Sequence, residues 1–314
     1  MSRPDLVRFE ERLRAVARGR LVAGEPMRAH TSLRVGGPAD LLFAPAERDD
    51  LLAALSLAAG EGVPVLVLGN GTNLLVRDGG VRGLVLHCGA LEGIRDEGEA
   101  PGGGHGIAAL AGTRLTRVIN FAVKAGLAGL EFAAGIPGTV GGAVAMNAGA
   151  HGRSVGEAVS WVDVAGLDGS LERFGRDRLA FTYRSADFPR PGVVIEVGLR
   201  LEPASEAAVL AEMKRCLEEH KRRLPFGWGS AGSVFKNPPG EAAGRLIDEA
   251  GCKGLRVGGA EVSAKHANVI VNVAQATGAD IEGLMAMVAR RVRERFGVEL
   301  EPEIKVVGEP GVGG

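Results

Sequence analysis

The sequence predicts an α+β protein with more than one compact unit. Three features of its 314 residues lead there: a strand–helix–strand alternation opening at Asp40, a tract of short β segments and glycine turns from Gly83 to about Leu201, and two amphipathic helices after Pro203. A chain of this length can bury several cores.

Taken in order, Leu6, Phe9, Leu13 and Val16 recur at three- and four-residue spacing and predict an amphipathic helix over residues 5–18. Leu41–Phe43 reads as a short apolar strand, Asp49–Ala59 as a helix and Val63–Leu68 as a buried strand, together a small α/β unit. Gly83–His87, Val159–Val164 and Val193–Leu201 read as strands of a second, mainly antiparallel sheet, with Gly98–Gly104 as a hairpin tip. A helix over Thr113–Lys124 interrupts this tract, with Leu115, Val118, Ile119 and Ala122 on its apolar face and Gly126 as its stop. The helix Ser205–Arg223 opens a third unit, repeats Val209, Leu210, Met213 and Leu217 at helical spacing, and ends at Pro225. The helix Asp280–Phe296 carries Ile281, Leu284, Met285, Val288, Val292 and Phe296 on one stripe, with Gly297 as C-cap. Val298–Val307 alternates apolar and charged residues as an edge strand would, tolerates Pro302 there, and is placed to return to the first unit.

Composition narrows the function. With 37 Lys+Arg against 38 Asp+Glu the net charge is -1, so no global positive field collects nucleic acid or anionic lipid, and an anionic ligand must be held locally. Cys88, Cys216 and Cys252 form no close pair, which argues against a disulfide framework and a zinc site and for a reducing compartment. The charged first twenty residues match neither a secretory nor a transit segment, and no apolar run approaches the roughly 20 residues that span a bilayer. The expectation is a cytoplasmic protein with no membrane segment, no metal and no obligatory protein partner.

Glycine is the outlying component at 49 residues, about twice its usual share of roughly 7%. Two stretches concentrate it. Gly69-Asn70-Gly71-Thr72-Asn73-Leu74-Leu75 follows a buried strand and leads into another, so it lacks the helix of a Rossmann fingerprint; it is either a tight turn or an anion-binding nest of convergent N–H groups. Gly135 to Ala150 (GIPGTVGGAVAMNAGA) holds almost nothing larger than valine apart from Ile136, Met146 and Asn147. Such a run either packs a helix start closely on a sheet or lets a flat, bulky ligand lie on the main chain. Two such loops together favour a dinucleotide site.

These residues resemble a known family, the UDP-N-acetylenolpyruvoylglucosamine reductases, whose flavin domain is of the vanillyl-alcohol oxidase type. The resemblance is colinear over nearly the whole chain. It runs through Thr31 to Asp40, the two glycine loops, Tyr183-Arg184-Ser185, Ala231 to Pro238, Ala243 to Asn272 and Glu301 to Ile304. It implies two FAD-binding subdomains over 1–83 and 84–203, a C-terminal α+β substrate-binding domain over 204–297, and a return of 298–314 to the first subdomain. It implies non-covalent FAD and NADPH as reductant of UDP-N-acetylglucosamine enolpyruvate, giving UDP-N-acetylmuramate in peptidoglycan precursor synthesis.

By position in the family motifs, Arg184, Ser233 and Glu303 are the implied catalytic residues: Arg184 to hold the substrate carboxylate in fork geometry, Ser233 to donate a proton, and Glu303 to support that transfer. Implied cofactor residues are Arg34, Gly69, Asn70, Gly71, Thr72, Asn73, Leu74, Gly135, Ile136, Pro137, Gly138, Gly141, Gly142 and Asn147, with Gly71 and Gly141 read as points of close approach to FAD. Tyr183, Arg223, Lys236, Asn237 and Lys265 are the implied substrate residues. Tyr183 is the only tyrosine, which fits the shorter branch lacking an extra tyrosine-bearing loop. Two other readings stay open from sequence chemistry: another flavin oxidoreductase of the same superfamily, and a flavin- or nucleotide-sugar-binding protein without catalysis.

Overall fold

A computed structural model describes residues 3–100, 102–225 and 227–311, without the side chains of Arg3 and Pro4. The elements in chain order are α1 (Arg3–Val16), β1 (Gly19–Pro26), β2 (Pro38–Pro45), α2 (Arg48–Glu61), β3 (Val65–Leu68), β4 (Leu74–Val76), β5 (Val81–His87), β6 (Ile94–Glu99), β7 (His105–Leu110) and α3 (Leu115–Lys124). There follow β8 (Leu127–Ala128), α4 (Val140–Ala145), β9 (Gly149–Ala150), β10 (Arg153–Ser154), β11 (Val159–Gly166), β12 (Leu171–Gly175), β13 (Ala180–Thr182), β14 (Ser185–Asp187) and β15 (Gly192–Pro203). The chain ends with α5 (Glu206–Arg223), α6 (Ala243–Glu249), β16 (Arg256–Val257), β17 (Ala260–Val262), β18 (Ile270–Asn272), α7 (Gly278–Phe296) and β19 (Lys305–Val307). Two compact units result: Met1–Val22, Leu41–Asn70 and Gly83–His220 form the first, and Ala23–Asp40, Gly71–Arg82 and Lys221–Gly314 the second. The chain therefore changes unit inside the first glycine loop and within α5.

The first unit holds two cores. In one, Phe9 and Leu13 of α1 and Leu51 and Leu55 of α2 pack on Leu41, Phe43, Leu84 and Leu86. The segment Gly83–His87 does not join the antiparallel sheet expected for it. As β5 it runs parallel to β3, in a four-stranded sheet of order β1-β2-β5-β3. Its unbroken buried run Leu84-Val85-Leu86 is the pattern of a strand covered on both faces, not of an alternating one. The other core lies on a six-stranded antiparallel sheet, β12-β11-β15-β7-β6 with β8 beside β15. Leu115, Val118, Ile119 and Ala122 of α3 pack there as the sequence predicts. β15 feeds both cores because alternate side chains point to opposite faces, Val193 and Ile195 into one core and Val194 into the other, and Ile195 is an extra residue opposite the Asp163–Val164 step of β11. The bulge moves the inward face from Val194 to Val197. The expected hairpin tip joins β6 to β7, and its Pro101 lies outside the described residues.

In the second unit, α6 and α7 pack on the small β16-β17-β18 sheet through Leu246, Ile247, Ile281, Leu284, Val288 and Val292. The expected edge strand Val298–Val307 shortens to β19, parallel to β4. Before it, Pro302 makes an isolated bridge with Phe235 and is tolerated there because the bonds of that pairing come from the Glu301 carbonyl and the Glu303 N–H, not from residue 302 itself. On α5 the buried positions are Val209 and Cys216, while Leu210 and Leu217 of the expected stripe are only partly covered. Burial pushes the Cys88 thiol up to about 12 and raises Cys216 and Cys252 as well, so none of the three offers a thiolate at neutral pH.

Helix α7 starts from a reciprocal cap: Thr277 Oγ1 accepts from the Asp280 N–H and Asp280 accepts from the Thr277 N–H. It ends at Gly297 with φ +68°. Burial raises the Asp280 carboxyl, but hydrogen bonds from the Thr277 and Gly259 N–H groups and the Thr277 hydroxyl outweigh it and hold it below its ordinary value of 3.8. A lowered folded-state value stabilises the fold above the unfolded value and loses that stabilisation as pH falls through the folded one. Thr277→Ala should cost about 1 kcal/mol at neutral pH. Asp280→Asn should lose stability at neutral pH and show a shallower loss on acidification below about pH 4. Denaturant melts of both variants between pH 7 and pH 3 read the two effects.

Candidate active site

In the first unit the two glycine stretches meet. A Cβ added at Gly69, just past β3, would stand 2.6 Å from Thr139 Oγ1. Thr139 is buried, caps α4 and accepts from the Gly142 N–H at 3.3 Å. Gly135 (φ +95°) and Gly138 (φ +130°) hold backbone conformations that L side chains rarely adopt. Asn70, Pro137 and Gly142 are exposed, and Gly69, Ile136 and Gly138 half-buried, so a surface of almost bare main chain lies open beside Gly69. This fits a flat ligand with a pyrophosphate better than a closed helix–sheet contact does.

Several expected cofactor residues also make contacts with the chain itself. A Cβ on Gly141 would meet Ala111 Cβ at 2.7 Å, and one on Gly71 (φ +60°) would meet the His30 carbonyl oxygen at 2.0 Å. Close packing against the chain is thus reason enough for glycine at both positions. Leu74 is a buried β4 residue paired with Lys305. The Asn73 amide donates to the Glu303 carbonyl at 3.2 Å, and the Asn147 amide donates to the Thr182 carbonyl at 2.7 Å. Thr72 is half-buried, and Arg34 is exposed in a left-handed turn position at φ +57°.

Arg184 and Tyr183 form the two-residue turn joining β13 to β14, in the first unit. Arg184 has φ +57°, uncommon for a side-chain-bearing residue, and its guanidinium carbon lies 5.2 Å from the centre of the exposed Tyr183 ring.

In the second unit the segments that carry Ser233 and Glu303 are paired through main chain. The Glu303 N–H donates to the Val234 carbonyl at 2.7 Å, and Phe235 bridges Pro302. Gly232 (φ +72°) makes the turn that presents Ser233. Among the neighbouring acids of the segment, Glu301 is 69% exposed and ion-paired with Lys236, and Glu299 is exposed and pairs with Arg293, while Glu303 is half-buried. Asn237 Oδ1 accepts from the Ala243 N–H at 3.0 Å at the start of α6, Lys265 Nζ donates to the Lys221 carbonyl at 2.7 Å, and Arg223 is exposed at the end of α5. Lys265 also lines a cavity of about 670 Å³ with Trp228, Ser263 and Val271, a size suited to a small-molecule ligand.

Sequence reasoning missed Trp228, because a lone tryptophan carries no spacing signal. It also missed Asn268, whose buried amide accepts from the Phe235 N–H at 3.0 Å and donates to the Phe235 carbonyl at 2.8 Å, two residues beyond Ser233. Among the described residues no group of three or more metal-binding side chains occurs, and no helix is long and apolar enough to cross a membrane.

The bare-backbone loops and the two-sheet first unit define an FAD-dependent oxidoreductase: an FAD-binding-domain family model matches residues 39–175. The same fold appears in a vanillyl-alcohol-oxidase-type flavoprotein from Myceliophthora thermophila, at TM-score 0.51 and 15% identity over 65% of this chain and 48% of that one. The UDP-N-acetylenolpyruvoylglucosamine reductase C-terminal domain model matches residues 224–307. The reductase of that name from Moorella thermoacetica is 46% identical over 97% of this chain and 99% of its own. The crystal structure of UDP-N-acetylenolpyruvylglucosamine reductase from Thermus caldophilus superposes at TM-score 0.77, with 38% identity over 92% of this chain and 99% of that one. The chain belongs to the UDP-N-acetylenolpyruvoylglucosamine reductase family.

The glycines can be told apart experimentally. Gly141→Val should lower the melting point of the flavin-free protein, since overpacking costs about 1–3 kcal/mol. Gly142→Leu, on the exposed side of the same turn, should leave that melting point unchanged and reduce FAD content. Calorimetry and flavin absorbance on the two variants give the comparison.

Proposed function

We propose that this chain reduces UDP-N-acetylglucosamine enolpyruvate to UDP-N-acetylmuramate with non-covalent FAD and NADPH, in the cytoplasm, as a step of peptidoglycan precursor synthesis. The observation that carries the reading is the pairing of the Ser233 and Glu303 segments through the Val234 carbonyl, in a chain that matches its family over both domains. A flavin-binding protein without catalysis has no need of a serine segment and a half-buried glutamate segment bonded to each other.

The chemistry that bound FAD would supply is hydride transfer, from NADPH to the terminal vinyl carbon of the substrate. The main chain around Gly69, Asn70, Ile136, Pro137, Gly138 and Gly142 is the assigned cradle for its pyrophosphate and rings. Hydride addition leaves negative charge on the adjacent carbon and the carboxylate of the substrate. Arg184 has the task of binding that carboxylate through its planar fork, which spreads the charge over two N–H···O bonds. Ser233 is assigned to protonate the carbon. A serine hydroxyl is a weak acid, so its proton must be supported, and Glu303 is assigned to stabilise or relay it.

Lys236, Asn237, Arg223, Lys265 and Tyr183 are assigned to the nucleotide-sugar end, with the cavity of Trp228 and Lys265 offering an aromatic face and a cation. Lys236 must exchange Glu301 for phosphate. An exposed ion pair is worth little, so the exchange is easy.

Anaerobic NADPH should bleach the yellow protein, and the enolpyruvyl substrate should restore its colour. If the substrate fails to reoxidise the flavin, the proposed reaction is wrong. Ser233→Ala should leave reduction by NADPH nearly intact and slow reoxidation by about 10²- to 10⁴-fold or more, read by stopped-flow. Equal slowing of both half-reactions, or of neither, would make Ser233 a turn residue only. Acid denaturation should release all the flavin into solution, as the three unionised buried thiols suggest.

A further inference from the structure

We propose that Asn147 is a positioning residue for Arg184, holding the Tyr183–Arg184 turn in its strained conformation, and not a ligand of the cofactor. This rests on the role assigned to Arg184 above. Asn147 is 6% exposed and itself adopts φ +41°. Its Nδ2 donates to the carbonyl of Thr182, the last residue before the turn, at 2.7 Å, and its Oδ1 accepts from the Gly156 N–H at 3.0 Å. A carbonyl demands a donor and an N–H an acceptor, so these partners fix which way the amide lies.

The hairpin needs such a tie. It has only three residue pairs, Ala180↔Asp187, Phe181↔Ala186 and Thr182↔Ser185, and a two-stranded piece of that length is marginal alone. Its turn places a non-glycine residue at φ +57°, a conformation that persists only where the surroundings over-determine it. Those surroundings are the segment from Asn147 to Gly156. A Cβ on Gly156 would stand 2.5 Å from the Phe181 ring, and one on Gly149 would stand 3.3 Å from Arg184 Nη1. The two glycines thus admit the hairpin's side chains, and Asn147 bonds its main chain at the point where the turn begins.

Two FAD-loaded variants separate this role from general stability. Asn147→Gly keeps the positive φ at no steric cost and deletes the amide. Asn147→Asp keeps the shape and the acceptor but sets a carboxylate oxygen against the Thr182 carbonyl. If Asn147→Gly lowers the melting point too far for kinetics, Asn147→Asp carries the test. Both should retain full FAD and reduce with NADPH within about twofold of the parent. In reoxidation the apparent Kd for the enolpyruvyl substrate should rise about 10-fold and the limiting rate fall by up to about 10²-fold, the scale of an ångström-sized misplacement. Asn147→Gly added to Arg184→Lys should slow reoxidation no further than Arg184→Lys alone, since both act through one group.

The proposal is overturned if FAD is lost and reoxidation is normal once FAD is resupplied, which makes Asn147 a cofactor ligand. It is also overturned if the two substitutions add independently, or if the Asn147 variants only melt earlier. Impaired Arg184→Lys with normal Asn147 variants sinks this inference and leaves the role of Arg184 standing. An Arg184→Lys protein with parental reoxidation sinks that role itself.

Discussion

Buried main chain without a ladder partner is the constraint from which the candidate site follows. Every segment bearing an assigned catalytic residue is loop or isolated bridge, and a loop that dips below the surface must find partners for its N–H and C=O groups. Here asparagine amides supply them. Asn147 bonds Thr182 and Gly156, Asn73 bonds Glu303, Asn268 bonds both polar groups of Phe235, and Asn272 bonds the carbonyl of Leu33 beside Arg34. An asparagine side chain has the donor and acceptor of a peptide group, so it stands in for a strand where none runs. Apart from Gly156, nine residues beyond Asn147, each partner lies more than thirty residues off in sequence, and the effect is to hold a short functional segment without giving it a regular element.

The same constraint explains the glycines. Where chain approaches chain this closely, any Cβ collides, as at Gly71 on the His30 carbonyl, Gly141 on the Ala111 Cβ and Gly37 on the Asp78 carbonyl, with contacts at 2.0, 2.7 and 2.0 Å. Only part of the glycine excess therefore concerns a ligand. Gly142, exposed and unobstructed but for Thr139, has the character of a residue fronting a cofactor; Gly141, its neighbour, has that of a packing residue. Adjacent positions in one motif thus serve different ends, and the distinction is one of direction.

The regular elements were legible because they depend on local periodicity. The face of α3 is buried as the spacing predicts, as is the stripe on α7 except for the half-buried Phe296, and Gly297 caps α7 in the left-handed conformation. Where the reading failed, the deciding contact was distant. β5 joined the parallel pair because β3 offered its edge, Ile195 bulged against β11, and the C-terminal segment met Phe235 at Pro302 before pairing with β4 from Lys305.

By itself the sequence determined the α+β class, the helices, the two places where bare backbone is concentrated, and, through the motifs around Arg184, Ser233 and Glu303, the family. Spacing and side-chain chemistry along the chain are enough for the class, for α1, α2, α3, α5 and α7, and for the two loops, while the family rests on the resemblance of those motifs. Only the tertiary structure decided which glycines face the chain and which face solvent, that Gly69 meets Thr139, that Glu303 rather than Glu301 is drawn beside Val234, and that the amides of Asn73 and Asn147 turn to main chain. The physical reason is that a hydrogen bond or a close approach is settled by which distant segment arrives opposite, and one-dimensional pattern holds no record of that.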